Sequence, residues 1–83
     1  MKKEELFEII TGHAREVVPA LENYQFQFND ALRDLGANSM DRSEIIMMTL
    51  ESLNMEIPLI ELAGVQNIGE LTEVLYERKS QTN

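Results

Sequence analysis

The arrangement best suited to chemistry in this chain is a serine that directly follows a glycine-containing turn. Residues 35–41 read Leu-Gly-Ala-Asn-Ser-Met-Asp and lead into a strongly apolar helical pattern. The hydroxyl of Ser39 is able to accept a covalent group, and a helix N-terminus favours a negatively charged group attached there. From the residues alone, a helix cap or the neighbour of one is the more ordinary role for this serine.

No other group of residues predicts a self-contained active site. The single histidine, His13, falls within the first predicted helix and has no acid–base companion nearby in sequence. The carboxylates do not follow a calcium-loop pattern, and no glycine-rich phosphate loop is present. The sequence contains no cysteine, which excludes disulfides, thiolate metal sites and a cysteine nucleophile. We therefore expect a protein that is not an enzyme and that binds no metal.

Helical periodicity predicts the elements that precede Ser39. An apolar stripe over residues 3–18 indicates a first helix, which Pro19 ends or kinks. We expect the residues that follow to form a long loop whose aromatic side chains pack onto the helices. One small helical turn, closed by Gly36, ends this loop.

The second half of the chain predicts two more long helices and one short helix. Asn38 and Ser39 are good N-cap residues for a helix that ends near Asn54. Residues 58–64 begin with proline and end with glycine, which indicates a single short helical turn. A last helix begins near Asn67. The predicted fold class is all-α: a four-helix bundle with three longer helices, a short third helix and a long loop after the first helix.

Length and charge indicate one small domain whose partners are other proteins. We expect residues 1–83 to form this single domain, with a core at about residues 4–77 and frayed ends. The net charge of −8 disfavours nucleic acid and anionic membrane surfaces and favours basic protein surfaces. The first residues contain neither a signal peptide nor a membrane span, so we expect a cytoplasmic protein. We also expect this protein to be a monomer.

Residues 35–40 resemble the Leu-Gly-x-Asp-Ser-Leu motif of the acyl carrier protein family. Here the motif reads Leu-Gly-Ala-Asn-Ser-Met, so Asn38 and Met40 replace the usual Asp and second Leu. Residues 55–58, Met-Glu-Ile-Pro, are similar to the lead into the family's third helix. Residues 65–71, Val-Gln-Asn-Ile-Gly-Glu-Leu, are similar to the start of its fourth helix. The resemblance extends over nearly the whole chain and favours covalent attachment over a simple cap.

This resemblance implies that Ser39 bears 4′-phosphopantetheine, transferred from coenzyme A by a phosphopantetheinyl transferase. The terminal thiol of that arm then holds an acyl group as a thioester. The resemblance also implies that partners dock along the second helix, where residues 38–62 contain five acidic residues and one basic residue, with residues 60–63 as a second edge. The expected docking residues are Asn38, Met40, Asp41, Arg42, Glu44, Met47, Met48, Ile60 and Glu61.

Residues 36–45 resemble more closely a subgroup of freestanding carriers that are encoded with trans-acyltransferase polyketide synthases. Such carriers act as donors in β-branching cassettes of the bacillaene type, where a malonyl group is decarboxylated to acetyl and added to a β-keto group. The implied partners are an acyltransferase, a ketosynthase-like decarboxylase and an HMG-synthase-like enzyme. Three alternatives remain open: a fatty-acid carrier, a peptidyl carrier and an unmodified acidic helical adaptor.

Overall fold

The computed structural model describes residues 1–81, which form three α-helices and three short 3₁₀ turns. The α-helices are α1 (Lys3–Val17), α2 (Ser39–Ser52) and α3 (Ile68–Gln81). The 3₁₀ turns are Pro19–Leu21, Leu32–Leu35 and Leu59–Leu62. No strand occurs within residues 1–81, so the predicted all-α class is confirmed.

The three long helices and the short third element agree with the predicted bundle. The third element, Leu59–Leu62, is the predicted single helical turn, and it is of the 3₁₀ type. The N–H of Glu61 donates to the carbonyl of Pro58 at 3.0 Å, three residues back, which is the 3₁₀ spacing. Helix α3 runs through Gln81, beyond the predicted end of the core. Residues 82 and 83 of the predicted frayed end lie outside the described residues.

The core holds all three helices together. Leu6 and Ile10 of α1, Ile45 of α2 and Leu75 of α3 are 0% exposed. Burying a side chain of this size contributes roughly 1.5–3 kcal/mol. Because α1 packs against both α2 and α3, this core fixes α2, and with it Ser39, relative to the rest of the molecule.

The loop between α1 and α2 packs its aromatic residues as predicted. The guanidinium of Arg15 lies 4.9 Å from the centre of the Phe26 ring, and its Nη2 donates to the carbonyl of Tyr24 at 2.9 Å. The Tyr24 hydroxyl in turn donates to Asp30 Oδ2 at 3.0 Å. Burial, together with the hydrogen bond to the Asp30 carboxylate, raises the pKa of Tyr24. Tyr24 therefore stays protonated and keeps donating to Asp30 throughout the physiological pH range.

The same loop is also bonded to the start of α3. The N–H of Ile68 donates to the Asp30 carbonyl at 2.9 Å, and the N–H of Gly69 donates to the Phe28 carbonyl at 2.7 Å. The Phe28 ring meets Phe7 of α1 edge-on, with ring centres 4.7 Å apart. These contacts hold the loop against two helices and set the position of the Leu32–Leu35 turn that follows it.

Candidate functional site

Gly36 shapes the turn that precedes α2. Its backbone has φ 99° and ψ 4°, a left-handed conformation that glycine adopts without the strain of a side chain. Beyond this reversal Ala37 is buried, only 2% exposed, while Ser39 is exposed. The left-handed glycine therefore lets the chain anchor itself in the core two residues before it presents a serine to solvent.

Asn38 is the N-cap of α2. Its Oδ1 accepts from the Asp41 N–H at 2.8 Å, and Asp41 Oδ2 accepts from the Asn38 N–H at 3.2 Å, so the two residues form a capping box. Ser39 is the first residue of the helix, and its hydroxyl makes no hydrogen bond within the part of the chain that the structure describes. The capping role belongs to Asn38, which leaves the Ser39 hydroxyl available for chemistry.

We expect Asn38→Ala to lower the free energy of unfolding by about 1 kcal/mol, because it removes the side-chain acceptor that caps α2. Asn38→Asp keeps an acceptor of the same length and should stay within a few tenths of a kcal/mol of the parent. Urea denaturation followed by circular dichroism measures both variants. An Asn38→Ala protein as stable as the parent would show that this cap contributes nothing.

Two depressions meet at Ser39. One is a groove of about 500 Å³ between α2, the Leu32–Leu35 turn, the Leu59–Leu62 turn and the start of α3. Its walls include Arg33 and Arg42, and no Asp or Glu is among its lining residues. The other is a hollow of about 450 Å³ on the opposite side of Ser39. Its lining consists of Ser39, Met40, Asp41, Ser43, Glu44 and Met47.

Several predicted docking residues lie exposed around Ser39. Met40 is 80% exposed and Met47 is 56% exposed, both on the side of the hollow that also contains Glu44. Ile60, 83% exposed, borders the groove on the other side. Large apolar side chains this exposed around one residue favour a protein-binding surface. That these residues dock a partner stays a prediction.

Four other predicted docking residues are partly occupied by contacts within the chain. Asp41 belongs to the capping box, and Met48 is half-buried. The Nη1 of Arg42 donates to the Ala37 carbonyl at 2.7 Å. Glu61 pairs with Arg78 of α3 at 2.7 Å. A partner that uses Glu61 would have to share it with Arg78 or displace it.

Arg33 is a residue at the site that the motif does not reveal. It precedes Ser39 on a separate 3₁₀ turn, and the left-handed turn at Gly36 folds it back beside the groove. One sequence signal does point to it: Arg33 and Arg42 are the only basic residues between residues 16 and 77.

The expectation that His13 has no acid–base companion nearby in sequence is wrong, because Glu16 lies three residues later and contacts it. Its Nε2 lies 2.8 Å from Ser52 Oγ, and its Nδ1 lies 3.1 Å from Glu16 Oε1. Ser52 is the last residue of α2, and the C-terminal end of a helix disfavours the negative charge that a serine nucleophile develops. The three side chains join α1 to α2.

Two features are absent from the part of the chain that the structure describes. None of the helices in residues 1–81 is both long enough and apolar enough to cross a membrane. The same residues contain no group of three or more His, Cys, Asp or Glu side chains that could hold a metal ion.

The family of the protein follows from a match to a known domain. A family model described as a phosphopantetheine attachment site matches residues 10–75. The chain belongs to the acyl carrier protein family, whose members bear 4′-phosphopantetheine. Among its relatives, the polyketide biosynthesis acyl-carrier-protein AcpK of Bacillus subtilis (strain 168) is 51% identical over 78 residues, which cover 94% of this chain and 95% of AcpK.

Two further similarities extend this comparison. An acyl carrier protein of Clostridium perfringens (strain SM101 / Type A) is 43% identical over 44 residues, covering 53% of this chain and 58% of that protein. A chain in the crystal structure of the curacin biosynthetic pathway HMG synthase in complex with acetyl donor-ACP matches with a TM-score of 0.86 and 47% identity. The match covers 90% of this chain and 96% of that chain, and it confirms the predicted acyl-carrier-protein-like fold.

The residues at the site fit the phosphopantetheine group that the family bears. The group is joined to serine through a phosphodiester. It therefore requires an accessible hydroxyl in an environment that tolerates one negative charge. Ser39 has an exposed, unbonded hydroxyl at the N-terminus of α2, where the helix dipole favours an anion. The adjoining groove provides space beside it.

Proposed function

We propose that the protein is a donor acyl carrier for polyketide β-branching, with 4′-phosphopantetheine attached to Ser39. The proposal rests above all on the 47% identity, over 90% of this chain, to a chain in the structure of an HMG synthase with an acetyl donor-ACP. The 51% identity to a polyketide acyl carrier over nearly the full length supports it. The protein holds an acetyl or malonyl group and presents it to an HMG-synthase-like enzyme.

In this role the chain positions a group and leaves catalysis to its partners. The capping box holds Ser39 at the surface, and the N-terminus of α2 stabilises the charge of the phosphodiester. The attached arm supplies the thiol on which the acyl group is held. Because the sequence contains no cysteine, no protein thiol of this chain competes for that acyl group.

Docking takes place on the two sides of Ser39 in this proposal. Met40, Met47 and Ile60 supply exposed apolar contacts, while Glu44 and its acidic neighbours guide basic partners to the surface. The transferase, an acyltransferase and a ketosynthase-like decarboxylase use the same surface in turn. We further propose that residues 1–83 act as one monomeric domain in the cytoplasm.

The proposal is tested by loading the protein in two steps. Incubation with coenzyme A and a broad-range phosphopantetheinyl transferase should raise the intact mass by one phosphopantetheinyl group. The holo-protein, loaded with acetyl, should then pass that group to a β-ketoacyl acceptor carrier when an HMG synthase from a β-branching pathway is added. Mass spectrometry of both carriers follows the transfer.

The alternatives predict different results in this experiment. An unchanged mass would favour the unmodified adaptor. Holo formation with elongation by fatty-acid synthesis enzymes, but without acetyl transfer by the HMG synthase, would favour a fatty-acid carrier. Aminoacylation by an adenylation domain would favour a peptidyl carrier. Any of these three results would contradict the proposed role.

A further inference from the structure

Charge is divided unequally around Ser39. On the side of the groove the lining residues include two arginines and neither Asp nor Glu, whereas the hollow on the other side contains Asp41 and Glu44. The chain has a net charge of −8 and only seven Lys and Arg residues in total. Two of those seven residues therefore border one groove next to the candidate attachment site, although the molecule as a whole is negatively charged.

Both arginines have N–H groups that donate no hydrogen bond within the described chain. Arg42 lies one helical turn after Ser39, a spacing that puts their Cβ atoms roughly 5–6 Å apart. Its Nη1 is held by the Ala37 carbonyl at 2.7 Å, which orients the guanidinium and leaves other N–H groups free to donate. Arg33 has a 71% exposed side chain and a single 4.0 Å contact with Asp34.

We infer that Arg33 and Arg42 together bind the phosphodiester of the arm on Ser39. This inference rests on the proposed function, because it requires that arm to be attached. The planar guanidinium matches phosphate oxygens through paired N–H donors, and the phosphodiester is bonded directly to Ser39 within reach of Arg42. Binding there directs the start of the arm into the groove and away from Asp41 and Glu44, whose charge repels it.

Two groups on the loaded arm carry a negatively charged oxygen that the arginines could bind: the phosphodiester and the carboxylate of a malonyl group. The phosphodiester is the nearer one because its position is fixed by the bond to Ser39. The carboxylate of a malonyl group lies at the far end of the arm and reaches the arginines only if the arm folds back. We assign the site to the phosphodiester, and the experiment below separates the two sources.

Arginine side-chain NMR provides the direct test. Conversion of ¹⁵N-labelled apo-protein to holo-protein should shift the Nε–Hε signals of Arg33 and Arg42, while those of Arg15 and Arg78 stay in place. In Arg33→Gln and Arg42→Gln the ³¹P signal of the arm should move towards its position in the urea-unfolded holo-protein, where the same phosphodiester has no folded arginine site, and its relaxation should approach that of a freely rotating arm. Acetyl and malonyl loading should add no further shift at either arginine.

Matched variants separate binding from folding and from net charge. Lys2→Gln changes the net charge by the same amount at an exposed position away from the groove, and it should leave the ³¹P signal unchanged. Arg42→Gln also loses the hydrogen bond to the Ala37 carbonyl. Arg42→Lys keeps the positive charge at residue 42, and Arg33→Gln removes a charge without affecting that hydrogen bond. Circular dichroism checks that the variants remain folded.

The possible outcomes distinguish this inference from the proposed function. If the transferase leaves the mass unchanged, the proposed function fails and the inference fails with it. If the mass rises and the Arg33 and Arg42 signals do not move, only the inference is overturned. A shift that appears with malonyl but not with holo or acetyl protein would assign the arginines to the acyl carboxylate and overturn the phosphodiester site.

Discussion

Ser39→Ala should abolish phosphopantetheine loading completely, while Ser43→Ala should load as the parent does. Alanine has no oxygen on which a phosphodiester can form, so no residual modification is expected at residue 39. Ser43 is the matched control because it borders the same groove and the same hollow one helical turn later. It differs in lying within α2, where it is half-buried, whereas Ser39 is exposed at the first residue of the helix.

The loss in Ser39→Ala should be chemical and not structural. The hydroxyl makes no hydrogen bond within the described chain, and Asn38 caps the helix, so the free energy of unfolding should change by less than about 0.5 kcal/mol. Intact-mass spectrometry after transferase treatment, combined with urea denaturation of the same samples, measures both quantities. A modified Ser39→Ala protein, or a folded Ser43→Ala protein that fails to load, would move the attachment point away from Ser39.

The sequence predicts the local structure around Ser39 well because the information is local. The turn, the cap and the serine occupy consecutive residues, and helix periodicity depends on side chains that are buried, such as Ile10 and Ile45. The sequence does not show which of Asn38 and Ser39 caps the helix, because both residue types are good caps. Only the hydrogen bond from the Asp41 N–H to the Asn38 side chain distinguishes them.

Features that depend on distant parts of the chain are beyond such a prediction. Arg33 reaches the groove because Gly36 adopts a left-handed conformation, and a short motif does not specify that geometry. Glu61 looks like a free acidic docking residue in sequence, but Arg78, 17 residues later, pairs with it. Periodicity also cannot separate one turn of α-helix from a 3₁₀ turn. The sequence therefore predicts a short helical turn in residues 58–64 but not its type, which is 3₁₀ at Leu59–Leu62.

Gly69→Ala should be strongly destabilising, an effect that also has no signal in the local sequence. A Cβ at residue 69 would lie 2.7 Å from the backbone oxygen of Phe28, the same oxygen that accepts the Gly69 N–H. Because the obstacle is backbone, it cannot rotate away as a side chain could. The loop has to move off α3, which strains its bonds to residues 68 and 69. We expect a loss of roughly 2–4 kcal/mol in the free energy of unfolding from overpacking and the weakened hydrogen bonds.

Gly12→Ala is the matched control, and it should have the opposite sign. Gly12 lies inside α1, where a Cβ meets nothing within 4 Å, so alanine brings only its better helix propensity, worth roughly 0.5–1 kcal/mol. Urea and thermal denaturation of the two variants compare how the same added methyl group changes the free energy of unfolding at a crowded position and at an open one. If both variants were stabilised, the contact between the loop and α3 would be loose in solution. The loop would then not be what holds the Leu32–Leu35 turn, and Arg33 on it, beside Ser39.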